Sequence, residues 1–161
     1  MRMKMEKYRY KESGLDNVWL TGGFKIEQDE EYGELLYIED VEGLHRAIAE
    51  ELLMKKSPLT GAEFRFLRKY CELSQADVAN IIQSNEQSVA KWEKAREKAV
   101  GNRPAEALFR AFAARIVGGD KMLIGFVDML NQIRARLGGA MDIEVGHQNG
   151  SAWHAEMKFA A

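Results

Sequence analysis

The chain is poor in several things that would announce a function. Among 161 residues there is one cysteine, Cys71, and there are only three histidines and two prolines. A single thiol cannot close an intrachain disulfide, and these few residues cannot supply the four clustered ligands of a zinc finger. No run approaches the roughly 20 apolar residues of a membrane span. The basic start "MRMKMEKYRYK" lacks the apolar stretch of a signal peptide. The expectation is therefore a cytoplasmic chain with no membrane partner. Neither internal repeats nor low-complexity tracts are visible. With 46% hydrophobic and 30% charged residues, the composition is that of a globular protein.

Excess charge is also missing overall, since the formal net charge is only −2, but its distribution is uneven. Residues 1–11 hold five bases and one acid, whereas residues 12–53 hold twelve acids and two bases. Residues 60–104 carry eight bases against six acids, and residues 105–161 balance. Such polarity suits one face for phosphate and another for a different partner; an acidic surface that is merely solvated is the alternative.

Residues 8–38 read as short strands and turns: "YRYKESG", "NVWL" and "YGELLYIE" are rich in β-formers and are separated by glycine. From Val41 the period becomes helical, with Leu44, Ile48, Leu52 and Leu53 on one face, and Pro58 is the expected stop. Thr60 with Glu63 forms a capping-box pattern opening "LTGAEFRFLRKY". Helices over Ser74–Gln83 and Asn85–Ala95 follow. A basic loop then leads to Pro104 in the first turn of an alanine-rich helix, which "GGD" should interrupt. Beyond the break, Leu123, Phe126, Val127, Leu130, Ile133 and Leu137 line one stripe, suited to the core or to a dimer surface. The tail "MDIEVGHQNGSAWHAEMKF" reads as a hairpin around an Asn149–Gly150 turn, expected to pair with the N-terminal strands.

The fold class expected is mainly α (α+β). A β-rich part spans residues 1–40, a helical domain 41–117, and a C-terminal helix with a β-hairpin 118–161. The densest pattern is "LSQADVANIIQSNEQSVAKWE", Leu73 to Glu93. Ala79 is small enough for two helices to cross closely, and Val78, Ile82, Val89 and Trp92 supply their shared core. Asn85, Glu86, Gln87, Ser88 and Lys91 leave a polar outer face on the second helix. A helix with such a face fits the major groove of DNA, where every base pair shows a distinct donor and acceptor pattern.

This segment resembles the Cro/C1-type (XRE) helix-turn-helix of phage repressors and bacterial regulators. The matching residues are Leu67–Arg68, Leu73–Ser74–Gln75, Val78–Ala79, Ile82, Val89 and Trp92–Glu93. With "YRYKESGLDNVWL" and "LTGAEFRFLRK", residues 8–100 are similar to the MqsA-type antitoxin group, although the paired CxxC zinc motifs of several members are absent. The resemblance implies a dimeric DNA-binding repressor on a double-stranded operator, with a cognate toxin as a further partner. It places base contacts on Gln87 and Lys91, helped by Glu86 and Ser88, and phosphate contacts on Gln75 and Asn85. Glu86 suits only a cytosine amine, or else a first-turn carboxylate role. It also implies a structural Arg68–Glu93 pair and a Trp92 in the core. Where the family commonly has glycine and an aliphatic residue, this chain has Gln83 and Ser84, so Asn85 is expected to share the strain of the turn. The alternative is an interaction protein that neutralises a toxin, docking it on the acidic 12–53 region with Tyr32, Leu35, Leu36 and Tyr37. No catalytic, metal or cofactor role is expected: His147 and His154 lack ligand spacing, and Asp16 and Asn17 are read as turn-formers.

Overall fold

The computed structural model describes residues 7–132, 141–147, 150 and 152–159. They form a mixed α+β protein. Two compact units divide it, residues 1–48 with 140–161 and residues 49–139. The division follows strand pairing rather than chain order.

The first unit is built on a four-stranded sheet in the order β1 (Tyr8–Arg9), β2 (Val18–Leu20), β5 (Met141–Gly146), β6 (His154–Phe159). β2 pairs parallel with β5, Val18 against Ile143, so the C-terminal hairpin does join the N-terminal strands. Alternation accounts for the core: Val18, Leu20, Ile143 and Val145 are fully buried on one face. The hairpin register ends at Gly146 opposite His154, and Asn149 lies outside the described residues. Trp153, in that connection, turns inward and donates its indole N–H to the Glu39 carbonyl at 2.8 Å. Asp16 and Asn17 form the bend before β2, as their Asx character suggests. A separate two-stranded ribbon, β3 (Phe24–Asp29) and β4 (Gly33–Ile38), leaves Ile26, Tyr32 and Tyr37 exposed.

α1 (Val41–Leu53) buries Leu44, Ile48, Leu52 and Leu53 along one stripe. It ends at Leu53, ahead of Pro58, so the proline is not the stop that the sequence suggested. The linker is held instead by Arg110, which donates to the carbonyls of Lys55 at 2.5 Å and Ser57 at 3.2 Å. Glu106 pairs with Arg110 at 3.0 Å and accepts from the Leu59 N–H at 3.0 Å. Both charges are almost fully buried, and the carbonyls and carboxylate satisfy the guanidinium there.

In the second unit α2 (Gly61–Tyr70) starts from the Thr60–Glu63 capping box. α3 (Gln75–Ile81) starts from a second box, Ser74 with Asp77. α4 (Glu86–Lys94) is capped by Asn85. Gly61 permits the α2–α4 crossing, because a Cβ there would lie 1.9 Å from the Trp92 carbonyl oxygen. α5 (Arg103–Gln132) is interrupted at Gly119, whose φ of 69° and ψ of −158° break the helix within "GGD". The Arg110 guanidinium sits 5.3 Å from the Phe126 ring. On a straight helix these residues would be about 24 Å apart, so α5 folds back on itself at Gly119. Phe126 is buried, whereas Val127 and Leu130 are exposed, so the expected stripe is only partly core. Ile133 and Leu137 lie outside the described residues.

In the first unit His45, on α1, lies 3.0 Å from the buried Tyr10 hydroxyl and stacks on its ring. Burial pushes the His45 imidazole below its ordinary value of 6.5. The unfolded chain therefore binds a proton more readily than the folded one, and stability falls as pH drops below about 6.5. Urea midpoints measured between pH 7.5 and 5 should show this loss, and His45→Gln, which keeps a hydrogen-bonding group but cannot titrate, should flatten it.

Candidate nucleic-acid interface

Local chemistry fixes α3 and α4 before packing does. Each helix opens on an extended residue whose side chain accepts from the third residue's N–H, Ser74 from Asp77 and Asn85 from Ser88 at 2.8 Å. The Asp77 carboxylate, bonded by the Ser74 hydroxyl and N–H, is held below the usual carboxylate range.

Helix ends are the unusual part. α2 and α3 both finish in paired 6→1 and 5→2 hydrogen bonds of the Schellman type. At α2 these run from Leu73 N to Arg68 O and from Glu72 N to Lys69 O. At α3 they run from Ser84 N to Ala79 O at 2.8 Å and from Gln83 N to Asn80 O at 3.3 Å. The left-handed residue is Glu72 (φ 57°) in the first and Gln83 (φ 56°) in the second, positions where glycine is usual. Asn85 does not share this burden. Its backbone is extended, at φ −118° and ψ 156°, and its side chain is occupied in capping, so Gln83 alone carries the strained conformation.

The helices are locked by one buried ion pair. Arg68 on α2 donates from Nε to Glu93 Oε1 at 2.5 Å and from Nη2 to Glu93 Oε2 at 2.9 Å. Its third donor, Nη1, reaches the Leu73 carbonyl at 2.9 Å. Gln75, the first residue of α3, donates its amide to Glu93 Oε2 at 2.9 Å. Three helices thus meet on one carboxylate. Val78, Ala79, Ile82 and Val89 complete the packing and are buried. Trp92 is half-buried and meets Phe64 edge-on at 5.9 Å.

This geometry separates the six candidate residues. Glu86, Gln87 and Lys91 are exposed on α4, as is Asn85 at its cap, while Ser88 is half-buried. Gln75 is half-buried with its amide turned toward Glu93, and the Asn85 oxygen is committed to Ser88. At 3.6 residues per turn Gln87, Lys91 and Lys94 fall within an arc of about 60°, and Glu86 lies about 80° outside it. Lys94 was not among the sequence candidates, although its place seven residues after Gln87 is the helical signal that marks it. The outcome is a rigid helix presenting an amide and two ammonium groups in one row. Such a row can donate to the oxygens and ring nitrogens at base edges.

His147 lies 3.1 Å from a Glu39 carboxylate oxygen and His154 is exposed on β6. Among the described residues no three histidine, cysteine or carboxylate side chains are grouped to hold a metal ion, and no helix is long and apolar enough to cross a membrane. No protein-family model, curated protein or solved structure matches the chain.

Two stability predictions follow from the brace and the turn. Gln83→Gly should raise stability by about 1 kcal/mol in chemical denaturation, because glycine accepts the left-handed backbone at little steric cost. Arg68→Met should cost about 3–5 kcal/mol by leaving Glu93 buried without its cation, and the double variant Arg68→Met/Glu93→Leu should recover part of that loss.

Proposed function

We propose that the protein is a sequence-specific DNA-binding transcriptional regulator, a cytoplasmic repressor of the helix-turn-helix type rather than an enzyme. α3 braces against the DNA backbone and α4 enters the major groove. The observation that carries this reading is the exposed row Gln87–Lys91–Lys94 on a helix whose orientation is fixed by a buried carboxylate shared among three helices. A surface helix needs no such anchoring to remain solvated, whereas base readout requires side chains held to within fractions of an ångström. In this reading Gln87 pairs with adenine, Lys91 and Lys94 approach guanine or phosphate, and Ser88 and Glu86 modulate the choice. Asn85 offers its amide nitrogen to phosphate. Gln75 serves chiefly to align α3 with α4. One module makes few contacts, so the protein acts as a homodimer on two half-sites and represses by occupying an operator.

The second reading, an antitoxin that neutralises a basic partner, is favoured by the β3–β4 ribbon. That ribbon and its turn, residues 24–38, hold five acids and one base, with Tyr32 72% exposed and Tyr37 50% exposed. The two readings are compatible in an autorepressing toxin–antitoxin pair.

Gel shifts on a duplex selected from a random pool test the first reading. Gln87→Ala and Lys91→Ala should each weaken specific binding by about 1–3 kcal/mol. Unchanged affinity in the folded double variant would refute it.

A further inference from the structure

The segment that follows α4 has a physical character of its own. Residues 94–103, "KAREKAVGNR", carry four bases, Lys94, Arg96, Lys98 and Arg103, against one acid, Glu97, a net charge of +3. All ten are exposed except Val100, which is 3% exposed and plugs the segment into the core. Unlike an ordinary solvated loop, it is paired along its backbone with the start of α2. Gly61 N donates to Lys98 O at 3.0 Å, Ala62 N to Arg96 O at 2.9 Å, and Val100 N to Leu59 O at 2.9 Å. Thr60 and Ala99 form an antiparallel bridge. The segment is thus an ordered arm whose conformational entropy is already spent in folding.

Three of the four cations on this arm, Lys94, Lys98 and Arg103, are left to solvent. Among the described residues no carboxylate pairs with Lys94, Lys98 or Arg103, whereas the buried cations Arg68 and Arg110 each have one. Arg103 occupies the first position of α5, where a positive charge opposes the helix dipole. Like charges along one ordered segment repel one another, and an external polyanion would relieve that repulsion. Lys94 also ends the exposed row of α4, so the arm follows the proposed base-reading helix without a break in the chain.

We infer that residues 94–103 form a phosphate clamp, in which Lys98 and Arg103 grip the backbone of the duplex beside the groove that α4 enters. This rests on the DNA-binding reading and extends it: the arm supplies sequence-independent affinity while Gln87 and Lys91 supply the choice of sequence.

The test is the salt dependence of binding by the full chain, for a selected duplex and for an unrelated duplex of the same length. In Lys98→Gln/Arg103→Gln the slope of log affinity against log salt should become shallower by about 2 on both duplexes. The ratio of the two affinities should not change. Gln87→Ala should do the reverse, lowering the ratio and keeping the slope. A slope unchanged in the folded double variant, or a loss confined to the selected duplex, would overturn the clamp alone if Gln87 still governs selectivity. A wild-type protein that binds neither duplex would overturn the clamp and the regulator together.

Discussion

The Glu93 carboxylate is the point on which the second unit is aligned. It receives two donors from Arg68 and one from Gln75, so α2, α3 and α4 are fixed relative to one another through a single side chain. Burying a charge is costly unless it is fully hydrogen-bonded, and here the cost is offset by bidentate geometry. An apolar replacement could hold the helices together equally well. What a directional pair adds is orientation, and orientation decides which way the exposed face of α4 points.

Around that pair the other devices have a consistent logic. The two capping boxes and the Asn85 cap set where α2, α3 and α4 begin, and the Schellman ends at Glu72 and Gln83 set where α2 and α3 finish. Gly61 lets the backbone of α2 lie against Trp92. The arm after α4 is tied to the residues around the Thr60 cap, so the helix start and the basic segment share one anchor. Glu72 and Gln83, two of the four described non-glycine residues at positive φ, carry a modest strain of roughly 1–2 kcal/mol each, which the surrounding hydrogen bonds sustain.

Much of this was legible in the sequence because it depends on local chemistry. Thr60–Glu63 and Asn85 announce helix starts within a few residues, and Leu44, Ile48, Leu52 and Leu53 announce a buried face. The left-handed requirement near Gln83 was also readable, though not that Asn85 would leave it to Gln83 alone. Non-local features were hidden. Nothing in "LMKKSP" says that Arg110, far along the chain, captures the carbonyls of the linker that follows α1. The glycines marked a break in α5 but not that the helix turns back to set Arg110 over Phe126. Gln75 has the residue type of a phosphate ligand, and only the folded arrangement shows its amide directed at Glu93. Lys94 lay just past the pattern that drew attention to its neighbours.

We propose that a braced α4 reads duplex DNA. The most direct test is a map of backbone amide NMR shifts in the isotope-labelled protein during titration with a duplex selected for binding. The largest changes should fall on residues 85–94 and continue through the arm to Arg103, with the β3–β4 ribbon unaffected. Changes confined to the ribbon, or none on α4 at saturation, would contradict the proposal.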